Sequence, residues 1–279
     1  MLSNITRKQI QDHVDLDLYN TSKPFPFGIF SAGLNYPIAD AIRDQIVAMP
    51  ESDFDRYENP FEKKFTLRNK NFDGKLGELF QYFESREFVS LVENLVEYPL
   101  ELDTDRLYWG VHIFGNGDKL DIHTDAGIHP IKNKRKYVTV GLYLSHEWNY
   151  TYGGNLEFWS GTEVTVPKPK LEKLERSTMP SHNKLVIFTN TDNAWHGSPE
   201  PVQCPPNSKR IFVTISYLAA KATPQAVFRL DMKNKLKKAR FVGRPGLDSF
   251  SKEIEELRLK RADPEGCLDV YRFDSDKKM

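Results

Sequence analysis

Two cysteines in 279 residues, Cys204 and Cys267, are too few for a disulfide framework, and neither stands in a Cys-x-x-Cys pair. A disulfide-stapled scaffold is excluded, and a reducing, cytoplasmic setting is expected. Long apolar runs are also missing: none approaches the roughly 18 residues of a membrane span. The opening MLSNITRKQIQDHVDLDLYN has no apolar h-region, so no secretory signal is expected. A surplus of either charge is missing too. The chain carries 39 Lys and Arg against 39 Asp and Glu, which leaves nothing global to attract nucleic acid or an anionic membrane. Internal repeats and low-complexity segments are absent. What remains, 39% hydrophobic and 28% charged residues, suits a folded globular chain of one or two domains with a sizeable core.

The pattern divides the chain into three parts. Residues 1–105 are expected to form an irregular N-terminal arm, marked by Pro24 and Pro26, and then a helical layer. The spacing of Ile38, Ile42, Ile46 and Val47 predicts a helix from Tyr36 to Met49, and residues 74–98 predict one or two more, with Leu76, Leu79, Phe80 and Phe83 on one stripe and Phe88, Leu91, Val92 and Leu95 on another. Residues 106–220 hold short strands punctuated by glycine, proline and asparagine. LYWGVHIFGNG ends in a turn signal, and KYVTVGLYLS (136–145), NLEFWSG (155–161), KLVIFTN (184–190) and RIFVTISYLA (210–219) follow with no helix between them. That arrangement predicts a sandwich or jelly roll. Residues 221–279 form a basic segment, a charged helix near 247–262 and a tail, packed on or extending from the core.

Within the β region, His123 and Asp125 stand in a His-Thr-Asp triplet, and His196 follows 73 positions later (196 − 123). The pair follows a strand and a Gly-Asn-Gly turn, and His196 follows another strand in NAWHGSPEP. In a jelly roll these places can meet at the open end of the barrel. Two imidazoles and a carboxylate on one face of a metal suit Fe(II) and leave the other face open. Catalytic zinc with the same donors remains an alternative. His129 and His146 lack the strand context and are expected at the surface.

Five ordered blocks carry a more specific signal: VHIFGNGDKLDIHTD, VTVGLYLSHEW, YGGNLEFW, KLVIFTNTDNAWHGSPEPV and KRIFVTISYLA. Over residues 106–220 the chain resembles the Fe(II)/2-oxoglutarate-dependent dioxygenases, most closely their prolyl-4-hydroxylase-like branch. The resemblance implies a mainly β fold with flanking helices around a double-stranded β-helix, a jelly-roll form. It implies Fe(II) held by His123, Asp125 and His196, with 2-oxoglutarate as cosubstrate and O2 as oxidant. It assigns Arg210 to the distal carboxylate of 2-oxoglutarate, which a guanidinium can grip with two parallel hydrogen bonds, with Lys209 as the fallback. Tyr143 would assist, Thr214 would share the face of Arg210 and bond to cosubstrate or water, and Leu156 would pack on the 2-oxoglutarate chain. An intact Asp125 favours hydroxylation, because related halogenases lack that carboxylate.

Two departures from the family pattern stand out. Arg210 follows His196 by 14 positions (210 − 196), longer than the common gap, and QCPPN is expected to absorb the excess as a loop. Leu120 sits where many prolyl hydroxylases have an aromatic near the metal. The expected reaction is therefore hydroxylation of an unactivated C–H of a small molecule or exposed side chain, with release of succinate and CO2. A prolyl hydroxylase acting on a polypeptide is the runner-up. A metal hydrolase or isomerase on the same triad and a non-enzymatic jelly-roll binding module are the rivals from other classes. The loop HEWNYTYGG (146–154), with Trp148, Tyr150 and Tyr152, is expected beside the mouth as a wall or lid. The basic stretch 221–244 could attract a phosphorylated substrate but is more simply a solvated face.

Overall fold

The computed structural model describes residues 1–58, 62–68, 71–129, 131–163 and 170–221. The expected basic segment beyond Lys221, the helix near 247–262 and the tail lie outside the described residues, as does Cys267.

The front of the chain carries the expected helices, but a further helix stands in the expected arm and three short strands interleave with them. Helix α1 (Asn4–Asp15) begins where the Ser3 hydroxyl accepts the Thr6 amide, satisfying one of the open donors of the first turn. It buries only Thr6 and Ile10, a stripe too thin to show as helical periodicity. Strand β1 (Phe27–Phe30) follows. Helix α2 (Tyr36–Ala48) starts with a proline in its first turn, where the missing amide costs nothing; of the expected stripe it buries Ile42 and Ile46, with Ala39 beside them, while Ile38 is partly buried and Val47 is exposed. Strands β2 (Asp55–Glu58) and β3 (Glu62–Arg68) then interrupt the helices. Helices α3 (Gly74–Glu84) and α4 (Arg86–Val96) divide at Ser85, whose hydroxyl accepts the Phe88 amide and caps α4.

The remaining strands are β4 (Leu100–Leu102), β5 (Gly110–Phe114), β6 (Lys119–His123), β7 (Lys136–Tyr143), β8 (Leu156–Gly161), β9 (Leu171–Thr178), β10 (Lys184–Thr189), β11 (Trp195–Ser198) and β12 (Arg210–Ala219). They form one sheet in the order β1-β10-β7-β12-β5-β3-β6-β11-β8-β9, with β2 on β3 and β4 on β12. Every one of these pairings is antiparallel. Among the described residues the sheet curls into a half-barrel with a jelly-roll core, flanked by four α-helices. The Gly-Asn-Gly turn does not close a hairpin, since β3 lies between β5 and β6 and pairs with both.

The two sheet faces do different work. One packs Val111, Val138, Val140, Leu142, Leu185 and Ile215, with their neighbours, against the helices in the main apolar core. The buried Tyr217 hydroxyl of β12 donates to the Phe83 carbonyl near the end of α3 at 2.7 Å, tying the layers together. The other face carries a smaller apolar cluster of Phe25, Tyr143, Leu156, Phe158, Val186 and Phe188. Beside that cluster the half-barrel stays open as a cavity.

Candidate metal centre and its cavity

His123 ends β6 and His196 lies in β11, and antiparallel pairing sets these two residues directly opposite each other. Their rings are 4.5 Å apart between centroids. Asp125 follows β6 by two residues, with Oδ1 3.5 Å from His123 Nε2 and Oδ2 3.8 Å from His196 Nε2. One donor atom from each of the three lies within 4.8 Å of the others, and all three residues are buried.

The hydrogen bonds fix which nitrogens face the centre. Each Nδ1 donates to a backbone carbonyl at 2.9 Å, His123 to Asp121 and His196 to Ala194. Both Nε2 atoms are therefore turned toward the centre, the orientation that metal-bound imidazoles adopt. Burial first, and then the neighbouring His123, pushes His196 down to about 3, so it is neutral at ordinary pH. Burial opposes the ionisation of Asp125, yet Lys136 and the two imidazoles outweigh it and hold the carboxyl well below the usual carboxylate range. Two imidazoles thus meet one ionised carboxylate, and the donor set fits a divalent cation of the Fe(II) type.

A second group, Asp103, Asp105 and His129, also brings donors together, and it corrects the expectation that His129 is a surface residue. His129 is fully buried. Its Nδ1 accepts the amides of Ile131 and Lys132, so the proton sits on Nε2 and is donated to Asp103 Oδ1 at 2.9 Å. Asp103 Oδ2 accepts the Tyr108 amide at 3.1 Å. The lone pair that a metal needs is already used, and the group braces the loop that carries Tyr108. His146 is exposed, as expected.

The cavity that opens on the triad measures about 750 Å³ including its mouth. Arg210, Tyr143, Thr214 and Leu156 all line it together with the triad. Arg210 is buried and held in place: Nε donates to the Gly154 carbonyl at 2.7 Å, and Nη2 donates to the Ser198 hydroxyl at 2.9 Å and the Tyr143 hydroxyl at 3.1 Å. The Phe114 ring lies under the guanidinium, 4.3 Å from its carbon. Among the described residues Nη1 makes no hydrogen bond. Thr214 Oγ1 donates to the Val140 carbonyl at 3.1 Å, so toward the cavity it can only accept. Lys209 does not join this group. It alternates to the opposite face and lines a separate cleft with Ile46, Phe54 and Phe65.

Three features were missed at the level of sequence. Lys136 Nζ bridges to Asp125 Oδ2 at 2.6 Å. Lys64 and Arg68 enter the cavity wall from β3. The aromatic loop is not the wall: Trp148 packs inside a cluster with Phe114, Val202 and Cys204, its indole N–H donates to the Gly153 carbonyl, and Tyr150 is exposed. Leu107, Tyr108 and Trp109 take that place. The stretch after His196 folds back onto the turn before β6, where Val202 exchanges backbone hydrogen bonds with Gly117 and Asp118.

The close approach of β11 to β6 depends on Gly197. A Cβ there would lie 2.8 Å from the carbonyl oxygens of Asp121 and Leu120, which are backbone atoms and cannot swing aside. Gly197→Ala is expected to push His196 away from His123. Divalent-metal affinity should fall roughly tenfold to a hundredfold, as it does when groups that orient ligands are disturbed. A metal titration at retained circular dichroism checks this, and an unchanged affinity would refute it.

A family profile described as the 2OG-Fe(II) oxygenase superfamily matches residues 109–217. No curated protein sequence matches the chain. Three solved structures share its fold at low sequence identity. A Pseudomonas putida prolyl-4-hydroxylase is 13% identical with a TM-score of 0.55, covering 76% of this chain and 100% of its own. A Trichoplax adhaerens prolyl hydroxylase, in complex with a hypoxia inducible factor oxygen degradation domain peptide fragment, is 18% identical with a TM-score of 0.54, covering 76% and 93%. A prolyl 4-hydroxylase from Phytophthora capsici is 18% identical with a TM-score of 0.52, covering 98% and 86%. Among the described residues no helix is long and apolar enough to cross a membrane.

Proposed function

We propose that the chain is a 2OG-Fe(II) oxygenase, the family whose model matches residues 109–217 and whose members use Fe(II), 2-oxoglutarate and O2, that His123, Asp125 and His196 hold the iron and that Arg210 and Tyr143 hold the cosubstrate. The observation that carries this reading is the pairing of two functions in one cavity: two imidazoles beside an ionised carboxylate, and a buried, fixed guanidinium. When bound, iron with 2-oxoglutarate and O2 supplies the oxidising power to hydroxylate an unactivated C–H, with succinate and CO2 released.

The chain's own residues prepare that chemistry. Lys136 occupies Asp125 Oδ2, which leaves Oδ1 as the natural single metal donor. The Tyr143 and Ser198 hydroxyls accept from Arg210, so each keeps its own proton for a carboxylate oxygen. Together with Nη1 they form a site for the distal carboxylate of 2-oxoglutarate, and Leu156 offers apolar contact to its methylenes. Burial raises Tyr143 above the usual phenol range, which keeps that donor protonated.

The substrate in this reading is a small molecule or an exposed side chain. Such a substrate would enter the cavity on which the triad opens. Leu120, Leu107 and Tyr108 wall it, so a long prolyl polypeptide is the less suited alternative. The cytoplasmic setting rests on cysteine usage, with Cys204 a buried free thiol.

Anaerobic addition of Fe(II) and 2-oxoglutarate tests the reading. A weak visible charge-transfer band is expected on forming the ternary complex. A zinc or manganese hydrolase on the same triad, or a binding module, would give no such band, and its absence would overturn the assignment.

A further inference from the structure

Iron and 2-oxoglutarate give no role to His112, a half-buried side chain that lines the same cavity from β5. Its place on the sheet is fixed from both sides, since it pairs with Thr66 of β3 and with Phe212 of β12. Along β5 it stands between the wall that ends at Trp109 and Phe114, the ring beneath Arg210. Phe212 lies two residues beyond Arg210 on β12, about 7 Å along the strand. His112 is therefore next to the cosubstrate anchor, on the side of the 107–109 wall.

The ring is held, yet only half used. Its Nδ1 is 2.9 Å from the Thr66 hydroxyl, and its plane is stacked on Phe212 with 6.4 Å between centroids. Among the described residues Nε2 makes no hydrogen bond. The Thr66 hydroxyl decides which nitrogen carries the proton. Thr66 is fully buried, and His112 Nδ1 is its hydroxyl's one hydrogen-bond partner among the described residues. A proton on Nδ1 would leave the hydroxyl hydrogen buried without an acceptor, which is costly. The hydroxyl therefore donates to Nδ1, and the ring proton sits on Nε2. Burial first, and then the charges of Lys64, Arg68 and Arg210, hold His112 well below the ordinary histidine range, so the ring keeps that single proton. The cavity wall thus carries a fixed, uncharged N–H donor.

Resting on the oxygenase reading above, we propose that His112 is a substrate-orienting residue whose Nε2–H donates to a carbonyl oxygen of the small-molecule substrate. A carbonyl satisfies a lone donor and brings no proton of its own. A hydroxyl would bring one that Leu107 and Phe212 cannot accept. One directed hydrogen bond beside the apolar wall also fixes how the substrate turns its C–H toward the triad.

Two measurements on the full chain test this. The first is nitrogen NMR of histidine-labelled protein with Zn(II) as a diamagnetic metal, the His112 signals being identified by their loss in His112→Gln. The Nε2–H tautomer is expected. The second is succinate release by the chain loaded with Fe(II) and 2-oxoglutarate, after its charge-transfer band has been recorded. The probes are uncharged matched pairs: ketones against the alkenes in which CH2 replaces the oxygen, and esters against the ethers that lack it. In at least one pair the carbonyl member is expected to stimulate turnover about threefold to tenfold above its partner, the effect of roughly one hydrogen bond. His112→Phe keeps a ring on Phe212 but donates nothing, and it is combined with Thr66→Val so that no hydroxyl is stranded. That variant should raise the KM for the stimulating compound about threefold to tenfold, with the KM for 2-oxoglutarate changed less than about twofold. His112→Gln, which can place an N–H near the position of Nε2, should recover part of the loss.

Three results overturn the proposal: an Nδ1–H tautomer, carbonyl members that stimulate no better than their partners, or a His112→Phe/Thr66→Val variant that weakens 2-oxoglutarate as much as the compound. A missing band in the wild type would instead strike the oxygenase reading beneath it, so the two failures are distinguishable.

Discussion

His196→Ala is expected to lose iron binding almost completely, and with it 2-oxoglutarate turnover. The site offers one donor from each of three residues, and removal leaves a His-Asp pair with no third ligand grouped with it among the described residues. Changes to groups that merely orient ligands cost roughly tenfold to a hundredfold, so loss of a ligand should exceed that range. The fold should persist. His196 gives up one hydrogen bond to the Ala194 carbonyl and a ring contact with Phe188 at 4.6 Å, both at the edge of a cavity that water can fill. An anaerobic Fe(II) titration beside a thermal melt separates the two effects. If iron affinity and turnover match the wild type, the assignment is wrong. The neighbouring Asp103, Asp105 and His129 group should not substitute, because its imidazole lone pair already accepts two amides.

The legible part of this protein is the part where side-chain pattern and backbone geometry agree. β7, β8, β10 and β12 are runs of β-branched and aromatic residues that two apolar clusters bury, and they stand where the pattern places them. The convergence of His123, Asp125 and His196 was legible for a related reason. His123 ends β6, Asp125 follows two residues later and His196 lies in β11, and antiparallel pairing of β6 with β11 brings them together.

What escaped was hidden by charge and by irregular backbone. β3, EKKFTLR, alternates as a strand should, but its polar side is charged and faces a site rather than solvent, so it does not read as a buried central strand. Its position between β5 and β6 is a non-local choice that no turn signal announces. Lys136 escaped through a local defect. In the β7–β12 pairing, Tyr217 faces Val138 but Leu218 faces Lys136, so an extra residue on β7 breaks the alternation. Such a bulge re-aims the side chain beyond it. Strict alternation from Thr139 and Tyr143 would turn Lys136 toward the helices, whereas the bulge delivers it to Asp125. His129 escaped because its partner Asp103 lies 26 positions away in the chain, across a loop brace that no periodicity encodes.

Arg210→Ala is expected to weaken 2-oxoglutarate by roughly tenfold to a hundredfold or more, the equivalent of the 1.5–3 kcal/mol typical of hydrogen bonds to charged groups. The guanidinium is worth more than its charge here because it is already immobile. Gly154, Ser198 and Tyr143 hold Nε and Nη2, and the Phe114 ring supports the plane, so binding a carboxylate freezes no further side-chain motion. Its removal also releases the Tyr143 and Ser198 hydroxyls from the orientation in which their protons face the cavity. The loss should therefore fall on the KM for the cosubstrate, measured as succinate release at saturating iron. Iron affinity in the absence of cosubstrate should stay near the wild-type value, since Arg210 touches none of the triad. Burial holds Arg210 below its ordinary pKa, so the uncharged wall left by alanine is no harder to fold around than the cation was. A variant that keeps wild-type affinity for 2-oxoglutarate would show that another cation of the cavity carries the distal carboxylate. Lys209 is not a candidate, because it lines the cleft on the other face of the strand. The search would move to Arg68 and Lys64, which line the cavity from β3.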